Sequence, residues 1–207
     1  PQRLAHAVGA AGVDALFTHP ALAVRWPQAP LTPVEVAGEA LALLRLPAQT
    51  VPIPPNTRKI TFTSGTTGSP KGVCLAADSM QAVAMGLVEA LGPLDIRRHL
   101  CALPLAVLLE NIAGVRAQLA NGGACVTLPM SRLGLTGSSS FDPGVFHQAI
   151  EENQPDSLIL LPQMLAAWTA WLRQANARPP SSLRFVAVGG AAVRAPPPEG
   201  GRGPGSP

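Results

Sequence analysis

Short apolar runs alternate with stretches whose apolar residues recur at helical spacing, and this alternation extends over most of the chain. Residues 4–13 carry Ala and Leu at that spacing and run through Gly9 and Gly12 into a short strand at 14–18. Residues 33–44 fit a helix, with Thr32 as its cap and Pro33 at its first position. The proline-rich segment 47–55 reads as extended chain, and strands are expected at 59–62 and 73–75. Asp78 or Ser79 caps a helix that reaches Leu91 and is closed by Gly92 and Pro93. A strand at 100–105, a helix at 106–120 stopped by Asn121-Gly122-Gly123, and a strand at 124–128 follow. Beyond a Gly/Ser loop at 130–140, Asp142 and Pro143 open a helix to Glu152. The remaining elements are a buried strand at 157–161, a helix at 162–173 and a strand at 183–188. Strands alternating with helices in this way predict an α/β fold, a layered and largely parallel sheet flanked by helices.

One segment does not fit a packing role. Between the strands at 59–62 and 73–75, eight of the ten residues from Thr63 to Gly72 are Gly, Ser or Thr. Such a loop has nothing to bury, but it suits an anion. Gly65 and Gly68 let backbone N–H groups approach closely, Thr63, Ser64, Thr66 and Thr67 offer hydroxyls, and Lys71 adds a charge. The chain has two lysines, Lys59 and Lys71, against thirteen arginines. A flexible ammonium placed here, where the chain otherwise uses Arg, is of the kind that serves phosphate as a point charge. The loop is not a Walker phosphate loop, because Lys71 is preceded by Pro70 and followed by Gly72 instead of a magnesium-binding hydroxyl. A Gly/Ser/Thr linker would explain the composition but neither the order nor the lysine.

Composition narrows the remaining classes. The 207 residues are 47% hydrophobic and 13% charged, a globular balance long enough to bury a core. Net charge is +3 and the pI is near 9.2, but the arginines are scattered and only 4% of residues are aromatic, which gives nucleic-acid binding little support. Cys74, Cys101 and Cys125 are odd in number without metal-like spacing, and the four histidines are dispersed. No metal site is therefore expected, and a reducing cytoplasm is the simplest setting. No apolar run reaches membrane-spanning length, since Glu110 and Pro162 interrupt the candidates.

The order Thr-Ser-Gly-Thr-Thr-Gly-x-Pro-Lys-Gly, which matches residues 63–72 without a gap, resembles the phosphate loop of the AMP-forming adenylating enzymes. That superfamily includes acyl- and aryl-CoA synthetases, peptide-synthetase adenylation domains and firefly luciferase. Three later segments are similar to family elements in the expected order. Residues 103–110 resemble the strand-to-helix wall of the acyl pocket, although Val107 stands where many relatives carry a His or aromatic residue. Residues 141–164 resemble a helix–strand–Pro-x-Met-Leu stretch, and 183–191 resemble a strand ending in Gly189-Gly190-Ala191, against which adenine lies in relatives. The resemblance covers about residues 1–194 and implies an incomplete large N-terminal domain.

It also implies an ATP-dependent ligase that forms an acyl-adenylate and then an acyl-CoA thioester, with ATP, Mg2+ and coenzyme A as partners of the reaction. The Leu-Pro-Leu…Glu element leans towards a fatty acid. The family's magnesium-binding Glu and adenylation lysine have no counterpart here, so no catalytic residue is assigned and the chain alone is expected to be inactive. Two alternatives stay open: a nucleotide-binding remnant with a regulatory or interaction role, and a peptide-synthetase-type module completed by another chain. Residues 195–207 are so rich in Pro and Gly that a disordered tail is expected, consistent with a shifted reading frame. Finding the same tail encoded in many independent isolates would remove that last idea.

Overall fold

The computed structural model of the chain describes residues 2–36, 38–63, 70–136 and 140–190. Two compact units divide it, residues 1–79 and 80–207.

In the first unit, helix α1 (Gln2–Ala10) leads into strand β1 (Ala15–Thr18), a short helix α2 (Pro20–Ala23) and strands β2 (Leu31–Val36) and β3 (Glu39–Arg45). These strands form an antiparallel sheet in the order β1-β3-β2. The helix expected at 33–44 is therefore a hairpin. Ala, Leu and Glu favour helix locally, but residues of β3 alternate, and Ala42 and Leu44 are buried together with Ala23. Gly38 turns the chain at φ 83°, and Pro33 lies on the edge strand β2, where a missing N–H does least damage. Strands β4 (Thr57–Thr63) and β5 (Lys71–Ala76) form a separate antiparallel hairpin.

Helix α3 (Ala77–Leu91) contains the division between the units, and it begins before the caps expected at Asp78 or Ser79. The second unit holds a parallel sheet of β6 (Arg98–Leu100), β7 (Ala124–Val126), β10 (Ser157–Leu160) and β11 (Phe185–Val188), in the order β11-β10-β6-β7. A small hairpin of β8 (Leu135–Thr136) and β9 (Ser140–Phe141) precedes helix α5 (Pro143–Asn153), and α6 (Pro162–Gln174) follows β10. Asp142 caps α5 as its sequence position suggests, its carboxylate accepting from the Gly144 and Val145 amides at 2.9 and 3.1 Å.

All four residues of β10 are buried, as a central strand covered on both faces must be. Asp156, just before it, fixes the register of its neighbours. Its carboxylate accepts from the Arg97 and Arg98 amides at 2.7 and 2.8 Å, and its carbonyl accepts from the Arg184 and Phe185 amides. The core beneath comprises Leu100, Leu103, Leu133, Phe146, Ile150, Leu158, Leu160 and Trp168, among others.

The helix expected at 106–120 takes a different form. A turn at 104–107 leads into a π-helical segment, Glu110–Arg116, which continues as α4 (Ala117–Ala120). The wider π turn coincides with a buried carboxylate at its start and with Gly114 inside it.

Candidate functional site

The β4–β5 hairpin converts two sequence-distant ends into one mouth. Phe62 pairs with Gly72 and Thr63 with Lys71, so the hydroxyl-rich segment leaves and re-enters a rigid ladder at adjacent positions. Lys71 is exposed at the first position of β5. Space is tight at Gly72, where a Cβ would lie 3.1 Å from Ile60 Cγ2 and 3.3 Å from the Phe62 ring. At the exit of the loop, the His6 Nε2 lies 3.1 Å from the Pro70 carbonyl oxygen, and the His6 ring meets Phe62 edge-on at 6.4 Å. His6 therefore pins Pro70 from α1, a contact that a separation of 64 residues keeps out of sight in sequence. Ser64, Gly65, Thr66, Thr67 and Gly68 lie outside the described residues, and so does Ala191.

The expected adenine edge belongs to the second unit. Gly190 stands at φ 85° directly after β11, and a Cβ there would lie 2.8 Å from Leu161 Cδ2. A Cβ on Gly189 would lie 2.6 Å from Leu109 Cδ2. Backbone conformation favours glycine at 190, and at both positions a leucine side chain would have to shift to admit a Cβ.

Leu109 is followed by a polar group deeper in the fold. Glu110, fully buried, receives His99 Nε2 at 2.6 Å on one carboxylate oxygen and the Leu103 amide at 3.0 Å on the other. His99 Nδ1 is 2.9 Å from Ser157 Oγ. A Cβ on Gly114 would strike Glu110 Oε1 and sit 2.5 Å from His99 Nε2, so this glycine makes the pair possible. Burial first, and the Glu110 charge second, push the Cys101 thiol up to about 12. Cys125 is raised for the same leading reasons. His99 and Ser157 also line a mainly apolar cavity of about 180 Å³, together with Leu91, Leu109, Ile159 and Ala187. None of these polar residues stands out in sequence, because their partners come from separate strands and a helix.

The first unit carries a hydroxyl-rich loop on a hairpin, and the second holds a parallel strand that ends in Gly-Gly; both suit a nucleotide-binding class of protein. The model of the AMP-binding enzyme family matches residues 1–199, and the chain belongs to that family. A 2-succinylbenzoate–CoA ligase of Bacillus cytotoxicus is 32% identical over 138 residues, which cover 63% of this chain and 24% of the ligase. The phenyloxazoline synthase MbtB of Mycobacterium tuberculosis is 32% identical over 171 residues, 78% of this chain and 11% of the synthase. Among solved structures, o-succinylbenzoate CoA synthetase of Bacillus subtilis with its acyl-adenylate intermediate has TM-score 0.51 at 26% identity, over 66% of this chain and 32% of that one. The amide bond synthetase McbA of Marinactinospora thermotolerans has TM-score 0.50 at 29% identity, over 69% and 26%. The chain thus spans less than a third of each of these proteins.

Proposed function

We propose that this chain supplies part of the nucleotide-binding domain of an AMP-forming acid–thiol ligase. The observation that carries the reading is the β4–β5 register, which sets Thr63 opposite Lys71 at the two ends of the hydroxyl-rich loop. In that role Thr63, Ser64, Thr66 and Thr67 donate hydroxyls, and Gly65 and Gly68 donate amides, to the β- and γ-phosphates of ATP. The Lys71 ammonium meets the charge that grows on pyrophosphate as a carboxylate attacks the α-phosphate. Coenzyme A then takes the acyl group from the adenylate. An ammonium offers donors only, which fits phosphate oxygens and gives Mg2+ no ligand at Lys71. Magnesium would ride on the phosphates and share their charge. Gly189, Gly190 and Ala191 form the edge offered to adenine, on the side away from Leu109.

The acid is an apolar carboxylic acid, and a fatty acid on the reading of residues 103–110. The names of the relatives also support an acid carrying a ring. Likeness to a phenyloxazoline synthase favours one second reading, an adenylation module completed by a partner chain. A cytoplasmic setting accords with free cysteines, and no helix among the described residues is long and apolar enough to cross a membrane. ATP–pyrophosphate exchange tests the scheme. The chain alone should give none above background, and exchange should appear when a chain carrying the family's C-terminal elements is added. Exchange without a partner contradicts the assigned incompleteness; failure of the chain to bind ATP removes the reading as a whole.

A further inference from the structure

Beneath the sheet, three side chains that the phosphate scheme does not use converge. His99 lies on β6, Cys101 just after it and Glu110 at the start of the π-helical segment. One donor atom from each lies within 4.8 Å of the others, and all three residues are buried. From these residues we infer a binding site for a zinc-class divalent metal, with His99, Cys101 and Glu110 as its ligands.

The donor set is one such ions select, an imidazole, a carboxylate and a thiolate in a buried setting. Tetrahedral ligands at ordinary zinc bond lengths stand about 3.3–3.8 Å apart, so the Cys101 sulfur needs to close by up to about 1 Å, and the His99–Glu110 pair, now at 2.6 Å, needs to open. The outer shell is already built. Ser157 Oγ holds His99 Nδ1 at 2.9 Å, and the Leu103 amide holds the Glu110 oxygen that faces away from His99 at 3.0 Å. The cavity of about 180 Å³ lined by His99 and Ser157 offers a path of entry.

A bound metal would take the place of the His99 Nε2–Glu110 Oε1 hydrogen bond, with Nε2 offering its lone pair and the ring proton carried on Nδ1 towards Ser157 Oγ. The Cys101 thiol would release its proton to solvent, and no electron would change hands. Burial and the Glu110 charge keep the Cys101 proton in place without a cation, and a divalent charge at the site favours its loss. Bound metal would join the end of β6 to the π-helical segment and add to stability by mass action.

Cobalt(II) titration of the chelator-treated 207-residue chain tests this independently of the nucleotide reading. One equivalent should bind, giving the visible bands of tetrahedral cobalt and an ultraviolet thiolate-to-metal charge-transfer band, and zinc should displace it and raise the melting temperature. Cys101→Ser should abolish the charge-transfer band, and Ser157→Ala should weaken binding by about 10-fold while keeping it. Cys74→Ser, at the exposed cysteine, should change nothing. If Cys101→Ser fails to fold, X-ray absorption of the zinc-loaded wild-type chain decides, because sulfur at about 2.3 Å must be present. Absence of stoichiometric uptake by the folded chain, uptake unaffected by Cys101→Ser, or a metal shell without sulfur overturns the site.

Discussion

Gly190 shows how one residue type can be imposed from two directions. Its φ of 85° is poorly tolerated by any side chain, and Leu161 occupies the space where a Cβ would go. Gly190→Ala is expected to destabilise the second unit by about 1–3 kcal/mol, read as a lowered urea midpoint with an unchanged slope. Cys101 carries the clearest pH signature. Its thiol is held up to about 12 in the folded chain, with Glu110, Cys125 and His99 around it. A raised pKa means the folded state keeps a proton that the unfolded chain releases. In chelator-treated protein this contribution is present in full below about pH 9 and is lost as pH rises towards 12. Urea midpoints of wild type and Cys101→Ala measured across that range should converge as pH rises; a constant gap would contradict the assignment.

At the scale of elements, the π-helical segment owes its shape to what it carries. Glu110 joins β6 to the turn at 103 through His99 and the Leu103 amide, and Gly114 clears the space for that junction. Glu110→Ala leaves two buried donors unmatched and should cost about 3–5 kcal/mol, with Glu110→Gln milder, measured by thermal or urea denaturation. Residues 106–120 read as an ordinary helix in sequence because side-chain spacing does not distinguish α from π over one turn; the cause is a partner on another strand. The error at 33–44 has a different source. Local helix preference favoured one answer, while burial of Ala42 and Leu44 on one face of a sheet decided the other. Where the signal was stereochemical, as with Asp142 and Pro143 at the start of α5, sequence and structure agree. Strands at 59–62 and 73–75 were also legible, because Gly- and Thr-rich chain bounds them sharply.

On the scale of the whole molecule, membership of the AMP-binding family was readable from the order of residues 63–72, with later segments in register, because that order is specific to the family's loop. His6, which holds the Pro70 carbonyl, and the His99–Glu110–Ser157 network were not readable, since their meaning arises only on folding. The chain covers 24% of the Bacillus cytotoxicus ligase and 11% of MbtB. The role proposed for the loop between β4 and β5 is to hold the phosphates of a nucleotide, and ATP titration by calorimetry examines that directly. ATP should bind to the wild-type chain, and Lys71→Ala should weaken binding by about 10- to 100-fold, the worth of a charge-assisted phosphate contact of about 1.5–3 kcal/mol. Equal affinity in the two proteins would contradict the account.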